Sequence, residues 1–423
     1  MRPSTKKKLG IDLRKYKKLD NSYYCNHCVN HYGIDLCECG SGKAVVIVHI
    51  AICSEFFGGT NLWSYLTYLC ALFFVVVGLQ YIQKGGRLNA LERLSIFYFI
   101  FLFLLTILYG NASTKLVPLI GRSMEIATLL MIVKMHKNDL TFVLTTGTIV
   151  FSVCVYCNLL VLVQNPLGLI GDDGEAYYLL GTNYNQIGPK VIIAFLFSVL
   201  LSSRRKAVII NTIAVAVTGM ISLVVVNSMT SAVSMALLLV VYLISWNRRF
   251  NRLILWGSLA AVILFQILVV FVGNALSPDG SNAFLDLIGK DASFTGRTEL
   301  WTYSAGYFWD SPFWGHGYID PSDYLDSGYF YGISKNSHNY IYNILHKGGL
   351  ILLFVILNMI RISYRRIKAR MDERSAYIII MTGVTFLIMC LFEVYDAIYT
   401  YLLLIFMYYY NEFIPGPGKI NNR

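Results

Sequence analysis

The stretch LILWGSLAAVILFQILVVFVGN, residues 253–274, carries no charged side chain. A helix that crosses the hydrocarbon core of a bilayer needs about 20 consecutive residues that are mostly apolar. A membrane β-barrel would instead show segments of about ten residues with alternating polarity, and we find no such pattern in this sequence. The stretch therefore predicts a transmembrane helix, and with it a helical membrane protein.

Similar apolar stretches recur along most of the chain. Hydrophobic residues make up 56% of the 423 residues and charged residues only 14%, so charged residues are much rarer than in soluble domains. We therefore predict an all-α polytopic membrane protein with about twelve transmembrane helices. The predicted spans are residues 44–57, 62–82, 94–109, 116–133, 140–163, 187–201, 207–226, 231–246, 253–274, 341–360, 376–392 and 396–411.

The connections on the two sides of residues 253–274 differ in charge. The one before reads NRRFNR, residues 247–252, whereas the long one after it, residues 275–340, is acidic. The Lys and Arg residues behind the net charge of +11 are concentrated in alternate short connections and the two termini, as the positive-inside rule requires of cytoplasmic segments. We therefore predict cytoplasmic termini and an outer large loop. A nucleic-acid partner is a poorer explanation for charge distributed in this way.

The topology divides the chain into a cysteine-rich tail, nine spans, a large outer loop, three spans and a second tail. No cytoplasmic loop reaches the roughly 50 residues of a nucleotide-binding domain, and the sequence lacks a G-x-x-x-x-G-K-[ST] loop. An ATP-driven pump and a transferase of cytoplasmic nucleotide sugars are therefore disfavoured, and we expect chemistry on the outer face. The boundaries are residues 1–43, 44–274, 275–340, 341–411 and 412–423.

The N-terminal tail contains the cysteine-rich segment CNHCVNHYGIDLCECG, residues 25–40. Four thiolates at such spacing are able to hold a zinc ion, although the last pair is tighter than the usual C-x2-C. The alternative is a flexible cytoplasmic tail with reduced thiols. In neither case do we expect a role in the main chemistry. The candidate zinc ligands are Cys25, Cys28, Cys37 and Cys39.

The large loop contains SFTGRTELWTYSAGYFWDSPFWGHGY, residues 293–318, whose spacing predicts a helix that begins near Arg297. Aromatic side chains, Trp301 among them, favour a position for this helix at the membrane surface. The segment DSPFWGHG ends it, and the polar segment SKNSHN leads through His338 into the tenth span. Arg297 and His338 are thus both predicted at the outer headgroup level.

Arg297 and His338 are the side chains that we consider for chemistry. A guanidinium is always charged and binds phosphate oxygens in bidentate fashion. A histidine is the side chain best suited to take a proton from a hydroxyl near neutral pH. Together they fit the attack of a sugar hydroxyl on a sugar carried by a lipid pyrophosphate. Each also has an ordinary interpretation, Arg297 as a headgroup anchor and His338 as a helix-start residue bonded to backbone.

The tenth span contains a second histidine and a pair of glycines. In a continuous helix His338, Tyr342 and His346 would lie four residues apart on one face. His346 would then lie roughly 12 Å deeper than His338 and should face a polar cavity. Gly348 and Gly349 are expected to allow close helix packing.

Three further charged residues lie within apolar stretches, where charges are costly and frequently functional. Arg122 and Glu125 are three residues apart, so they either pair on one helix face or take part in substrate binding. Lys190 lies just inside the outer boundary. It either snorkels to that boundary or serves as a second cation for a pyrophosphate.

The large loop and the helix after it resemble the signature of the O-antigen ligase and Wzy-type polysaccharide polymerase superfamily. That signature runs from a Gly-Arg with a following Trp, through a Pro and a G-x-G turn, to a His-Asn that opens a helix. LLGTNYNQIGP, NSMTSAVSMALLL and LFEVYD are similar to other family positions, and the likeness covers most of the chain beyond the tail. The matching signature residues are Gly296, Arg297, Trp301, Pro312, Gly315, Gly317, His338, Asn339 and Gly349.

The resemblance implies a multi-pass enzyme of the GT-C type in the bacterial plasma membrane that acts without a metal or another cofactor. It implies a glycan donor carried on undecaprenyl pyrophosphate, with Arg297 at the pyrophosphate and His338 activating the acceptor hydroxyl. Flippase and chain-length regulator proteins are expected partners, besides membrane lipids. The residues that we expect to bind substrate are Lys190, Arg122, Asn339, Tyr342 and Trp301.

Two positions depart from the family pattern. Lys190 stands where family members often have a second loop arginine, and Lys347 stands where an acidic residue is common. Both departures concern the second contact to the pyrophosphate.

Three functions follow from these expectations. The first is a polymerase that joins lipid-linked repeat units into a capsular or O-antigen polysaccharide. The second is the sister activity, a ligase that transfers finished polymer to an acceptor such as lipid A core. The third is a transporter or flippase of lipid-linked sugars, which should carry its charges at the membrane midplane in repeat-related positions. The charges at the outer face favour an enzyme.

Overall fold

The structure of the protein is a computed structural model. The N-terminal tail, the first predicted span and most of the large outer loop lie outside the residues that it describes. The described residues are 75–81, 85–109, 112–135, 140–170, 176–180, 184–244, 248–272, 297–319, 336–395 and 397–414, with scattered residues between 69 and 83.

Helices account for nearly all of the regular structure in these residues. Short 3-10 turns precede α4 and α5 and follow α9, and α7 continues as a π-helix over Gln266–Val272. The helices are α1 (Ala90–Tyr109), α2 (Ala112–Met135), α3 (Thr141–Gln164), α4 (Ile187–Ser202), α5 (Ile209–Val225), α6 (Met229–Ile244), α7 (Arg248–Phe265), α8 (Arg297–Asp310), α9 (Tyr340–Ile367), α10 (Arg374–Cys390), α11 (Ala397–Tyr408) and α12 (Tyr410–Phe413).

Seven helices in the described residues are long and apolar enough to cross a membrane, and three shorter apolar helices, α6, α10 and α11, accompany them. Each of these ten coincides with a predicted span. The prediction of an all-α polytopic membrane protein is therefore confirmed.

A small antiparallel β-hairpin is the exception to the helical architecture among these residues. It pairs β1 (Leu169–Ile170) with β2 (Ala176–Tyr177) in the connection between α3 and α4.

The helix α4 lies at the centre of the bundle, in contact with α3, α5 and α10. Of its membrane-length window, 89% is buried, as expected for a helix that is apolar on all sides. Glycines on its neighbours permit the close approach: Gly147 in α3 faces the ring of Phe197, and Gly219 in α5 faces Val191. The other helices pack around this core.

The helix α9 is broken at Gly348 and Gly349, which have non-helical backbone angles. Gly349 has a φ of 59° and a ψ of −159°, a conformation essentially restricted to glycine. A Cβ atom at Gly349 would lie 2.3 Å from the backbone of Phe313. The expected close approach at these glycines is therefore present, but the partner is a turn of the large loop and not another helix.

The turn that fills the break covers residues 311–317. Its backbone bonds to both sides of the break: the N–H of His316 donates to the carbonyl of His346 (2.7 Å), and the N–H of Leu350 donates to the carbonyl of Pro312 (2.9 Å). Gly315 has a positive φ and lies against the backbone at Gly348. Interruption of α9 thus leaves carbonyl and N–H groups that the turn satisfies.

The helix α8 begins at Arg297 as predicted and runs alongside the first turns of α9. Trp301 is fully buried in a cluster with Tyr342, and the Nε2 atom of His346 lies 3.0 Å from the carbonyl oxygen of Ser304. The N-terminal ends of α8 and α9 therefore lie at the same end of the bundle. This end carries Arg297 and His338.

Candidate active site

His338 lies outside α9, two residues before its first residue Tyr340. Its φ is 45°, an uncommon value for a residue with a side chain, and its N–H donates to Oδ1 of Asn336 (2.7 Å). The expectation that His338 and Tyr342 share one face of a continuous helix is therefore wrong, because the helix starts only after its cap at Asn339. Backbone held in such a conformation clusters at functional sites.

Asn339 is the N-cap of α9 and is completely buried. Its Oδ1 atom accepts the N–H groups of Ile341 and Tyr342, each at 3.1 Å. Its Nδ2 atom donates to Oε1 of Gln266 (3.0 Å) and to the carbonyl of Leu391 (3.1 Å). The side chain thus ties three parts of the chain together below His338, and its predicted contact with substrate stays a prediction.

The imidazole of His338 faces a buried carboxylate. Its Nδ1 atom lies 3.2 Å from Oε1 and 3.3 Å from Oε2 of Glu393, which is 4% exposed. The His338 side chain is 29% exposed, and its Nε2 atom bonds to no residue that the structure describes. One nitrogen is therefore held by the carboxylate, and the imidazole as a whole stays partly exposed.

Glu393 is fixed by further donors in addition to His338. Nδ2 of Asn185 donates to its Oε2 (2.7 Å), and the N–H of Val394 donates to its Oε1 (3.1 Å). Nε2 of Gln186 donates to the carbonyl of Val394 (3.3 Å), so the turn before α4 and the corner after α10 hold each other. Because a buried carboxylate is costly without such partners, this arrangement requires several matched residues.

Glu393 is the residue of the site that our sequence reasoning missed. In the sequence it lies within the family-like segment LFEVYD, directly after the predicted span 376–392. An acidic residue directly after a long apolar helix was an available signal, since such residues are rare near the membrane and tend to have a function. Its partner was not visible because it lies 55 positions earlier.

Arg297 is the first residue of α8 and is partly buried. Its Nε atom is buried and has no hydrogen-bond partner within the described part of the chain.

Tyr395 lies close to both charged groups. Burial raises the pKa of the Tyr395 phenol well above its usual value, and the neighbouring Glu393 and Cys390 add to this rise. A hydrogen bond with Ser231 and the charge of Arg297 oppose it. Tyr395 is therefore within electrostatic reach of both Arg297 and Glu393.

Trp301 lies one turn after Arg297 in α8, and Tyr342 lies in the first turn of α9. Both are buried, with 0% and 2% of their surface exposed, and they form an apolar cluster with Val270 and Leu345. The ring centroids of Tyr342 and Phe271 are 5.3 Å apart in an edge-on contact. In this structure both residues pack in the apolar core beneath the site. Their predicted contact with substrate stays a prediction.

The two other predicted phosphate ligands make contacts of a structural kind. Lys190 is 1% exposed, and its Nζ donates to the carbonyl of Leu180. Arg122 pairs with Glu125 at 3.0 Å, which confirms the expected pairing on one helix face. The Lys190 contact joins α4 to the connection that contains the β-hairpin, and the Arg122 contact lies within α2. A role for Lys190 or Arg122 at the pyrophosphate stays a prediction.

The predicted zinc ligands lie outside the described residues. Among the residues that the structure does describe, no group of three or more His, Cys, Asp and Glu side chains is arranged to hold a metal ion. The zinc hypothesis for the N-terminal tail therefore stays a prediction.

Comparison with known proteins identifies a family for part of the chain. A family model described as O-antigen ligase matches residues 213–357, from α5 into α9. No curated protein gives a significant match. The family match confirms the resemblance to the O-antigen ligase and Wzy-type superfamily, and it indicates an enzyme of the glycosyltransferase type. Both Arg297 and His338 lie within the matched residues.

Proposed function

We propose that this chain, whose residues 213–357 match the O-antigen ligase family, is a repeat-unit polymerase. It joins oligosaccharides carried on undecaprenyl pyrophosphate into a capsular or O-antigen polysaccharide. The observation that supports this proposal most is the His338–Glu393 pair, at the same end of the bundle as Arg297. An imidazole fixed by a carboxylate, with a guanidinium at the same end of the bundle, suits the transfer of a glycan from a pyrophosphate to a hydroxyl.

In the proposed reaction the donor is the growing chain and the acceptor is a sugar hydroxyl of the next lipid-linked unit. Glu393 accepts a hydrogen bond from Nδ1 of His338, which leaves Nε2 as the acceptor of a proton. Nε2 takes the proton of the hydroxyl while its oxygen forms a bond to the anomeric carbon of the donor. The bond between that carbon and the pyrophosphate oxygen breaks.

The leaving group departs as an anion and needs no acid, because Arg297 supplies positive charge where negative charge develops. Glu393 stabilises the imidazolium that forms on His338, in the way that a carboxylate supports a catalytic histidine elsewhere. The reaction as proposed requires no metal ion. Lys190 and Lys347 depart from the family pattern, so the second cation at the pyrophosphate is one of these lysines or Arg122.

The proposal places the site on the outer side of a bacterial plasma membrane. The positive-inside distribution supports twelve spans, cytoplasmic termini and a GT-C-like arrangement with the catalytic loop 275–340 between spans nine and ten. A flippase that delivers the lipid-linked unit and a regulator of chain length are the partners that this reaction needs. Both lipid-linked glycans reach the site from the membrane.

A ligase is the second candidate, because the matching family model is described as O-antigen ligase. The same His338, Glu393 and Arg297 would then transfer finished polymer to an acceptor such as lipid A core. Deletion of the gene followed by glycan electrophoresis separates the two functions. Products with a single repeat unit support the polymerase, and unattached long chains support the ligase. Unchanged glycan ladders would contradict both.

A further inference from the structure

A cavity of about 310 Å³ lies between α1, α2 and Tyr81, away from the proposed active site. It extends along α2 from Ser123 to Lys134, a length of about 16 Å at 1.5 Å per residue. Ser95 on its wall contacts Met359 in the C-terminal half of α9, whereas His338 precedes the other end of α9. The cavity therefore lies toward the opposite membrane face.

The cavity is apolar over most of its surface and open to one side. Its walls include Phe99, Met124, Leu130 and Met131, and Ile100 at its edge is 54% exposed. An exposed apolar edge on a membrane-spanning helix faces hydrocarbon and not water. An apolar cavity of this kind also excludes water and accepts apolar ligands.

Polar groups gather at one end of the cavity. Glu92 and Lys134 form an ion pair there, and Nζ of Lys134 also lies 4.8 Å from the centre of the Tyr81 ring. The same Nζ donates to the backbone carbonyl of Arg87, and Arg93 follows Glu92 in α1; both arginine side chains are exposed. Lys134 and these two neighbouring arginines thus outnumber Glu92, the one carboxylate that lines the cavity.

We propose that this cavity is a binding site for one anionic phospholipid of the leaflet opposite His338. A hydrocarbon chain of the lipid fills the cavity between α1 and α2, and its phosphate group meets Arg87, Arg93 and Lys134. The combination of an apolar cavity that opens toward lipid and a surplus of positive charge at its polar end matches such a molecule. Cations near a membrane surface attract anionic lipids by about 1 kcal/mol each.

The experiment uses the whole protein and phosphatidylglycerol as the probe. Ala127→Trp fills the cavity, and Ala261→Trp makes the same change on the exposed surface of α7. After a delipidating detergent wash, native mass spectrometry should find one retained phosphatidylglycerol on the wild type and on Ala261→Trp, and at least a tenfold loss on Ala127→Trp. Added phosphatidylglycerol should raise the melting temperature of the first two proteins only.

A second variant tests the headgroup and leaves the cavity walls intact. Replacing Arg87 and Arg93 by Gln should weaken binding of phosphatidylglycerol roughly ten- to thirtyfold and leave binding of phosphatidylcholine unchanged. Both side chains are exposed, so the fold should tolerate the change.

Three results would overturn the proposal. Equal lipid retention by Ala127→Trp and the wild type means that the bound lipid belongs to the general lipid shell. Unchanged phosphatidylglycerol affinity in the Arg87→Gln, Arg93→Gln variant removes the charge argument. A photo-reactive residue at Met131 that crosslinks to peptides from residues 1–68, and not to lipid, means that the chain itself fills the cavity.

Discussion

The bundle holds a buried glutamate near each of its two ends, and the two sites are built for different purposes. Glu92 and Glu393 are 6% and 4% exposed, and polar groups buried to this degree need hydrogen-bond partners. Glu92 pairs with Lys134, and it accepts hydrogen bonds from the hydroxyl of Tyr409 (3.0 Å) and from Nδ2 of Asn89 (2.8 Å). All of these partners extend from regular helices or their ends.

Glu393 faces an imidazole, whereas Glu92 faces an ammonium group. His338 has a backbone conformation with positive φ, and its side chain is partly exposed. A lysine partner is a permanent positive charge near neutral pH, whereas a histidine is able to gain and lose its proton. The first glutamate therefore holds helices together, whereas in the proposed mechanism the second supports a histidine that takes a proton.

The largest effect is expected from His338→Ala. Removal of the base should lower polymer synthesis by about 10²- to 10⁴-fold, because that is the usual contribution of a general base. The measurement is glycan electrophoresis together with the amount of inserted protein, which should not change because the side chain is partly exposed. Normal chain ladders from this variant would remove His338 from the mechanism.

Glu393→Gln should produce the next largest effect. The amide still offers an oxygen to Nδ1 of His338 but no longer balances the imidazolium, so we expect roughly a hundredfold loss of activity. Glu92→Gln is the matched control at the other end and should leave the activity of the folded protein unchanged. If both variants lose activity in equal measure, the distinction between the two glutamates is wrong.

Arg297→Lys should reduce activity about tenfold, because a lysine keeps the charge but loses the bidentate contact to a phosphate. The reduction should appear in activity and not in thermal stability. Activity at the wild-type level would support the simpler interpretation of Arg297 as a headgroup anchor. Arg361→Lys, an exposed position at the far end of α9, is the matched control.

The smallest effect on activity, and a clear one on stability, is expected from the Glu92 site. Glu92→Gln leaves Lys134 without its counter-charge, and we expect a loss of about 2 kcal/mol in the free energy of unfolding. Tyr409→Phe removes two hydrogen bonds, one that the hydroxyl donates to Glu92 (3.0 Å) and one that it accepts from Nδ2 of Asn89 (2.6 Å), and should cost about 2 kcal/mol. Denaturation of the purified protein in detergent measures both. Stability equal to that of the wild type would show that this pair contributes nothing.

The helices were predictable because apolar length alone identifies a membrane span. The span predicted at residues 140–163 is the helix Thr141–Gln164, and that at 187–201 is Ile187–Ser202. Charged residues that cannot enter hydrocarbon mark the ends of the spans. The predicted span 341–360 ends before Arg361, and the helix α9 continues beyond it to Ile367. The positions of the membrane helices therefore depend only on how apolar each stretch of about 20 residues is.

The site was predictable only in part. Arg297 and His338 were found through their chemistry and their resemblance to a family signature, but the Glu393 partner requires two turns of the chain to meet in space. The break at Gly348 was not foreseen either, since a glycine pair is compatible with close packing in an unbroken helix. The positive φ of His338 likewise arises from the cap at Asn339 and the contacts around it, which no local pattern specifies.

The break in α9 divides this helix mechanically into two pieces. The outer piece, from Tyr340 to Lys347, is about 12 Å long and is clamped by α8 and the turn at residues 311–317. The inner piece carries the lipid-facing side chains Leu350, Phe354 and Leu357. The turn also donates to and accepts from backbone groups on both pieces, at His346 on the outer one and at Leu350 on the inner one. The turn therefore fixes the angle between the piece that begins just after His338 and the piece that faces lipid.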